Sequence, residues 1–216
     1  MALKRKTIKN KPIESACHIF YDEQTFRSLV VDPGSEDMRH IEAFLDECNL
    51  KVDYIILTHE HFDHIWGCNR MLDKYNPTII CSSYCAEALP NPKLNLSAFY
   101  DPDKAFAVVT ENIRIACDIS NTIEWNGYLL NFWDAQGHSK GGLIFKIGKF
   151  IVTGDTLIKD LKTVTKLKNA SKLKLQESLD LLESMMGNGY LICGGHGEVF
   201  ELDTYNLNKA YGIDNH

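Results

Sequence analysis

His59, His61, Asp63 and His64 fall within six residues, in the run Thr58-His59-Glu60-His61-Phe62-Asp63-His64. Packing alone does not explain imidazoles so crowded. Protonated, they repel one another; buried neutral without partners, they lose hydration. A divalent cation removes both difficulties, because neutral imidazole and carboxylate are its natural ligands. Three further segments each set one potential ligand beside a glycine after an apolar run. Gly137-His138-Ser139 follows residues 128–133, Gly154-Asp155-Thr156 follows 150–152, and Gly194-Gly195-His196-Gly197 follows 190–193. Glycine lets the backbone turn tightly and approach an ion closely. One such segment is weak, since a histidine after a strand is more often a surface or hydrogen-bonded residue. Together with the first run, in a chain of only eight histidines, they form a joint signal for a metal centre.

The order HEHFDH, GHSKGG, TGDTL, GGHGE resembles the metallo-β-lactamase superfamily, and within it the glyoxalase II-like metal-dependent hydrolases. The resemblance starts at Leu29-Val30-Val31-Asp32-Pro33-Gly34, similar to the superfamily's early Ile-Asp-Pro-Gly segment, and runs to His196. It implies an α/β fold, a four-layer αββα sandwich. It also implies two divalent metal ions: His59, His61 and His138 for the first, Asp63, His64 and His196 for the second, with Asp155 bridging. Three imidazoles suit zinc, and the same ligand types accept iron or manganese. Two ions ~3.5–4 Å apart can share a hydroxide and polarise a substrate oxygen. The implied reaction is attack of a metal-bound hydroxide on the carbonyl of a thioester or other ester. Asp63 would both ligate a metal and orient the nucleophile.

Departures from the family pattern bear on the substrate. Gln136 stands where many relatives have Pro, and residues 158–164 replace a segment that commonly carries an Arg-Asp pair and glycines. Glyoxalase II proper has a C-terminal helical region that binds glutathione, and only 20 residues follow His196 here. Poor turnover of glutathione thioesters is therefore expected. Two rival readings stand beside hydrolysis. Persulfide dioxygenases share the fold and use a single iron, held by residues matching His59, His61 or its neighbours, His138 and Asp155. A non-enzymatic interaction protein would keep metals for structure.

Composition narrows the partners. With 216 residues, 44% of them hydrophobic, the chain can bury a sizeable core as one domain over 1–216, or as two packed halves. A net charge of −6 disfavours general nucleic-acid binding, and the family resemblance implies a small-molecule substrate. No run approaches the ~18–20 apolar residues of a membrane span. The basic stretch 1–11 lacks the apolar segment of a secretory signal. Seven scattered cysteines, at 17, 48, 68, 81, 85, 117 and 193, read as small buried apolar residues of a reducing, cytoplasmic compartment. Cys193, three residues before His196, reads as a strand residue facing the core.

The elements that must position the ligands alternate between strand and helix. Strands are expected near 26–31, 53–57, 78–81, 106–109, 113–116, 128–134, 143–147, 150–153 and 190–193. Ser35 before Glu36 and Asp37 reads as a helix start, with Ile41, Phe44, Leu45 and Cys48 as its apolar face. Ile65, Cys68, Leu72 and Tyr75 mark a helix directly after the ligand run, its N-terminus toward the site. A short helix over 83–89, a helix carrying Leu175, Leu179, Leu182 and Met186, and a last helix near 201–211 complete the reading. Gly148-Lys149 is a hairpin signal. Lysines 159, 162, 166, 168, 172 and 174 form either a solvated surface segment or a flap that attracts an anionic substrate. Phe62, Trp66, Phe99, Tyr100, Trp125 and Trp133 are core residues or pocket walls.

Overall fold

The apolar runs Leu29-Val30-Val31, Ile55-Ile56-Leu57 and Ile79-Ile80-Cys81 are wholly buried, as strands covered on both faces must be. They lie at the centre of the first of two sheets. The computed structural model describes residues 3–116 and 121–211 and divides into two compact units, residues 1–115 and 116–216. The first unit runs β1 (Lys4–Lys9), β2 (Ala16–Asp22), β3 (Arg27–Val31), α1 (Arg39–Glu47), β4 (Lys51–Ile56), α2 (Phe62–Ile65), α3 (Cys68–Tyr75), β5 (Thr78–Cys81), α4 (Ser83–Ala88), α5 (Ser97–Tyr100) and β6 (Ile113–Ile115). Its six strands are ordered as they occur in sequence. The first three pair antiparallel and the rest parallel. Parallel pairing carries β3, β4 and β5 in one direction, so the segments after β3 and β4 leave the sheet at the same end. These segments are Asp32-Pro33-Gly34 and the ligand run. Ile41 and Leu45 of α1, with Cys68 and Met71 of α3, pack with Val30, Ile55 and Leu57 in the unit's core.

The second unit runs β7 (Thr122–Trp125), β8 (Tyr128–Asp134), β9 (Leu143–Ile147), β10 (Phe150–Gly154), α6 (Lys172–Ser184), β11 (Leu191–Gly194) and β12 (Phe200–Glu201). The sheet order is β12-β11-β10-β9-β8-β7, with β10 and β11 parallel and the other neighbours antiparallel. Gly148, at φ +54°, turns the expected β9–β10 hairpin, where Ile147 pairs with Phe150. Leu175, Leu179 and Leu182 of α6 pack on Ile144, Ile151 and Ile192. Among the described residues, no helix is long and apolar enough to cross a membrane.

Several sequence expectations need correction. Ser35 does not start a helix: its hydroxyl donates to Asn10 Oδ1 (3.1 Å) and accepts from the Lys11 amide (3.1 Å), while α1 begins at Arg39. The single helix expected after the ligand run is two, broken at Gly67, whose amide donates to Pro33 O at 2.7 Å. A Cβ there would lie 2.7 Å from that oxygen. Residues 106–109 form no strand. Their backbone groups are taken by other partners: Asn95 Nδ2 and the Asn69 amide side chain donate to Phe106 O and Ala107 O, and the Val108 amide donates to Leu89 O. The last expected helix is instead β12 and two short 3-10 turns, Leu202–Thr204 and Leu207–Tyr211. Strands β1, β2, β7 and β12 were not anticipated. Of the seven cysteines, 17, 68, 81, 85 and 193 are buried and Cys48 is partly exposed, while Cys117 lies outside the described residues. Cys193 is a fully buried β11 residue paired in register with Val152. Trp125 is buried, and Trp133 packs on the second unit's core.

Candidate metal centre

In the first unit the ligand run leaves β4 and passes into α2. His59, His61 and His64 are 2%, 6% and 0% exposed. The His59 ring stands 4.5 Å from that of His61 and 4.1 Å from that of His64, centroid to centroid. Asp63 Oδ2 lies 3.6 Å from His64 Nε2. In the second unit Asp155 Oδ2 lies 3.6 Å from His138 Nε2 and also 3.6 Å from His196 Nε2. These separations are too long for hydrogen bonds. They approach the ~3.3 Å edge of a tetrahedron of ligand atoms ~2.0–2.1 Å from one ion. The donor set, imidazole and carboxylate alone, also fits a divalent metal. Each unit thus gathers its share of the residues singled out in the sequence.

Three of the histidines are oriented through Nδ1. His138 Nδ1–H donates to Val164 O at 3.0 Å. His64 Nδ1–H donates to Asp32 Oδ2 at 2.9 Å. Asp32 Oδ2 also accepts from the Thr58 hydroxyl (2.6 Å), and Oδ1 accepts from the Thr58 amide (2.8 Å). The Thr58 hydroxyl proton is thereby committed, so its oxygen accepts from His59 Nδ1–H at 3.1 Å. One buried carboxylate therefore sets two rings, directly at His64 and through Thr58 at His59. In all three histidines this tautomer presents Nε2 as the lone-pair atom, as metal-ligating imidazoles require.

A buried polar strut fixes the backbone of the ligand run. Ser15 Oγ donates to Asp63 O at 2.5 Å and accepts from Asn10 Nδ2 at 2.9 Å. Asn10 Nδ2 also donates to Asp32 O at 3.0 Å. Gly34 lies against the same carbonyl so closely that a Cβ would fall 1.6 Å from Asp63 O. Sequence reasoning gave no role to Asn10, Ser15 or Thr58 and noted Asp32 only within a motif. The available signal was a lone acidic residue between an apolar run and Pro-Gly, where an exposed loop would not need a strand so buried.

In the second unit, Asp155 and His196 leave neighbouring parallel strands. The β10–β11 register shifts between Val152 and Gly154, Gly154 adopts φ +49°, and the Gly195 amide donates to Gly154 O at 2.8 Å. The turn after Asp155 is tied down by Thr153 Oγ1 donating to Leu157 O (2.8 Å) and Thr163 Oγ1 donating to Thr156 O (3.0 Å). Gly137, at φ +147°, lets the His138 loop lie against α6, where a Cβ would sit 2.5 Å from Leu175 Cα.

The family model of the metallo-beta-lactamase superfamily matches residues 23–196. The chain belongs to that superfamily. A probable metallo-hydrolase of Streptococcus pyogenes is 27% identical over 72% of this chain and 66% of its own length. A hydroxyacylglutathione hydrolase of Ruegeria pomeroyi is 23% identical over 67% of this chain and 49% of its own length. The chain therefore spans between about half and two thirds of these curated relatives. The crystal structure of BLEG-1 B3 metallo-beta-lactamase superposes with a TM-score of 0.82 at 20% identity, covering 92% of this chain and 94% of that one. The metallo-β-lactamase fold, with its two helix-bearing mixed sheets, is the α/β sandwich class expected from the sequence. Membership places the chain in a metallo-hydrolase superfamily that binds divalent metals.

The remaining features singled out in the sequence sort by environment. Lysines 162, 166, 168, 172 and 174 are exposed. Lys159 pairs with Glu198 (3.1 Å) and Lys174 with Glu177 (2.7 Å). Phe62, Trp66 and Tyr100 meet in one aromatic cluster beside the ligand run.

Proposed function

We propose that this protein hydrolyses a thioester or other ester of a small molecule at a dinuclear metal centre. His59, His61 and His138 would hold one ion, Asp63, His64 and His196 the other, and Asp155 would bridge them. The observation that carries the reading is the position of Asp155 Oδ2, equidistant at 3.6 Å from His138 Nε2 and His196 Nε2. A carboxylate oxygen between two imidazoles that would serve different ions suits a bridging role. Bound divalent ions would lower the pKa of water toward neutrality and polarise the substrate carbonyl. The chain's own residues supply the rest. Asp32 and the Val164 carbonyl hold the imidazoles with Nε2 inward, and Ser15 with Gly34 fixes the Asp63 backbone. The Asp63 carboxylate would orient the attacking water. Such preorganisation costs no rearrangement during reaction. Zinc suits this donor set best, and iron and manganese accept it.

Support for ester chemistry comes from the hydroxyacylglutathione hydrolase relative and from a site with no Ser or Cys nucleophile among the ligands. The test is a screen of thioesters, lactones, oxygen esters and phosphoesters, with oxygen uptake followed in parallel. Hydrolysis of a thioester or ester is expected, lost on chelation and restored by the metal. Phosphoester-only turnover, or oxygen consumption with a persulfide in place of hydrolysis, would overturn the assignment.

A further inference from the structure

His138 is oriented by a carbonyl that no helix or strand holds. Its acceptor is Val164 O, and residues 161–166 form no regular element. The Val164 side chain is 50% exposed, so packing does not fix this residue either. Irregular surface segments move more than the elements beside them. A carbonyl that sets a histidine tautomer must nevertheless stay within hydrogen-bond reach of the ring.

The contacts that fix it come from the C-terminal segment of the same unit. Tyr205 packs its ring on Phe200, centroids 4.4 Å apart, at the edge of the unit's core. Its hydroxyl accepts from the Asp160 amide at 2.7 Å and lies 3.4 Å from Ile158 O, to which it donates. Lys209 Nζ donates to Asp160 Oδ1 at 2.6 Å and stands 5.7 Å from the centre of the Tyr205 ring. Ala210 O accepts from the amide of Thr163, the residue before Val164, at 2.8 Å. Asp160 is held at φ +56°, uncommon for a residue with a β-carbon. The far end of the segment is closed by the Ser171 amide donating to Gly137 O at 2.8 Å, beside His138 itself. The exposed Lys209–Asp160 pair is screened by solvent, so the Tyr205 hydroxyl is the firmer of the two side-chain holds.

We infer that Tyr205 is a positioning residue for His138: by gripping the backbone at Ile158 and Asp160, it keeps the Val164 carbonyl where it accepts the His138 Nδ1 proton. This rests on the metal-centre reading and extends it to a residue outside every ligand segment. When Val164 O withdraws, Nδ1–H loses its acceptor, the ring turns or changes tautomer, and Nε2 is no longer a fixed lone pair for a metal. The relay runs wholly through the second unit, so His64, set by Asp32 in the first, is unaffected by it.

Tyr205→Phe keeps the ring on Phe200 and removes only the hydroxyl. In metal-free protein labelled with 15N-histidine, solvent exchange of the His138 Nδ1 proton is expected to quicken about tenfold, while that of His64 stays as it was. Zinc affinity, read by competition with an indicator, is expected to weaken about three- to tenfold, less than the 10- to 100-fold typical of losing a direct partner of the ligand. Asp160→Asn retains the amide that Tyr205 holds and tolerates the positive φ, so it should stay near wild type in both measurements. Met186→Ala, in a residue packed on the same core but outside the grip, should lower the unfolding midpoint and leave both measurements unchanged. Unchanged His138 exchange in Tyr205→Phe would overturn the inference. So would equal acceleration at His138 and His64, or the same changes in Met186→Ala, because each would mark general loosening. If the wild-type protein binds no divalent metal, the metal-centre reading fails, and the exchange measurement still decides whether Tyr205 positions His138.

Discussion

Asp32 does more for the ligand geometry than any residue outside the ligand set. It is 1% exposed and accepts three hydrogen bonds, two from Thr58 and one from His64. Removing it strands the Thr58 amide and frees both rings to rotate. Asp32→Ala is expected to destabilise the fold by about 3 kcal/mol and to weaken metal binding by about 10- to 100-fold. Denaturant unfolding and competition with a metal indicator check the two effects separately. Gly34 is the complementary case. A methyl group there would overlap Asp63 O, so Gly34→Ala must push the ligand run off its strut. A loss of about 3 kcal/mol or more is expected from such backbone overlap. A Gly34→Ala protein with unchanged unfolding midpoint and metal affinity would refute that placement. Asp155→Ala should abolish turnover and lower metal occupancy together, because one oxygen faces two imidazoles.

Between α1 and α3, a charge cluster ties the two helices that pack on the first sheet. Glu42 accepts from Arg70 Nε (2.5 Å) and Nη2 (3.1 Å), and Lys74 reaches Glu42 (3.5 Å) and Asp46 (2.8 Å). Arg70 first, with Lys74, holds the Glu42 carboxyl below its ordinary value of 4.5. A carboxyl depressed in the folded state stabilises it fully above its unfolded pKa, and that contribution is lost as pH falls through the lowered folded value. Glu42→Gln should therefore cost about 0.5–1 kcal/mol at pH 7, and less and less in acid. Unfolding of both proteins from pH 7 to pH 3 checks the convergence. Element boundaries also show where sequence reading stops. Central strands β3, β4 and β5 announce themselves as apolar runs. The first strand, Lys-Arg-Lys-Thr-Ile-Lys, looks like a solvated tail and becomes a strand only because β2 supplies the partner. Phe106-Ala107-Val108-Val109 looks like a strand, but side-chain donors from Asn69 and Asn95 claim its carbonyls. Such tertiary partners leave no local pattern. The candidate ligands stand out in the sequence because their types and spacing suit chemistry better than packing.

At the scale of the whole molecule, burial silences the cysteine thiols. Cys17 and Cys68 are fully buried, and desolvation raises their thiol pKa well above the ordinary value. In Cys85 a hydrogen bond with Cys81 raises it first and burial adds to that. These thiols should resist alkylation in the native protein at neutral pH and react only at the rate of global opening. Mass mapping of labelled peptides, with Cys48 as the accessible reference, checks this. The central claim is the proposed dinuclear metal centre. Elemental analysis of protein purified without added metal, beside the His196→Ala variant, tests it most directly. Seven ligands are too many for one tetrahedral ion, so about two divalent ions per chain are expected, falling to about one in His196→Ala. One ion per chain, with that content unchanged in His196→Ala, would contradict the account.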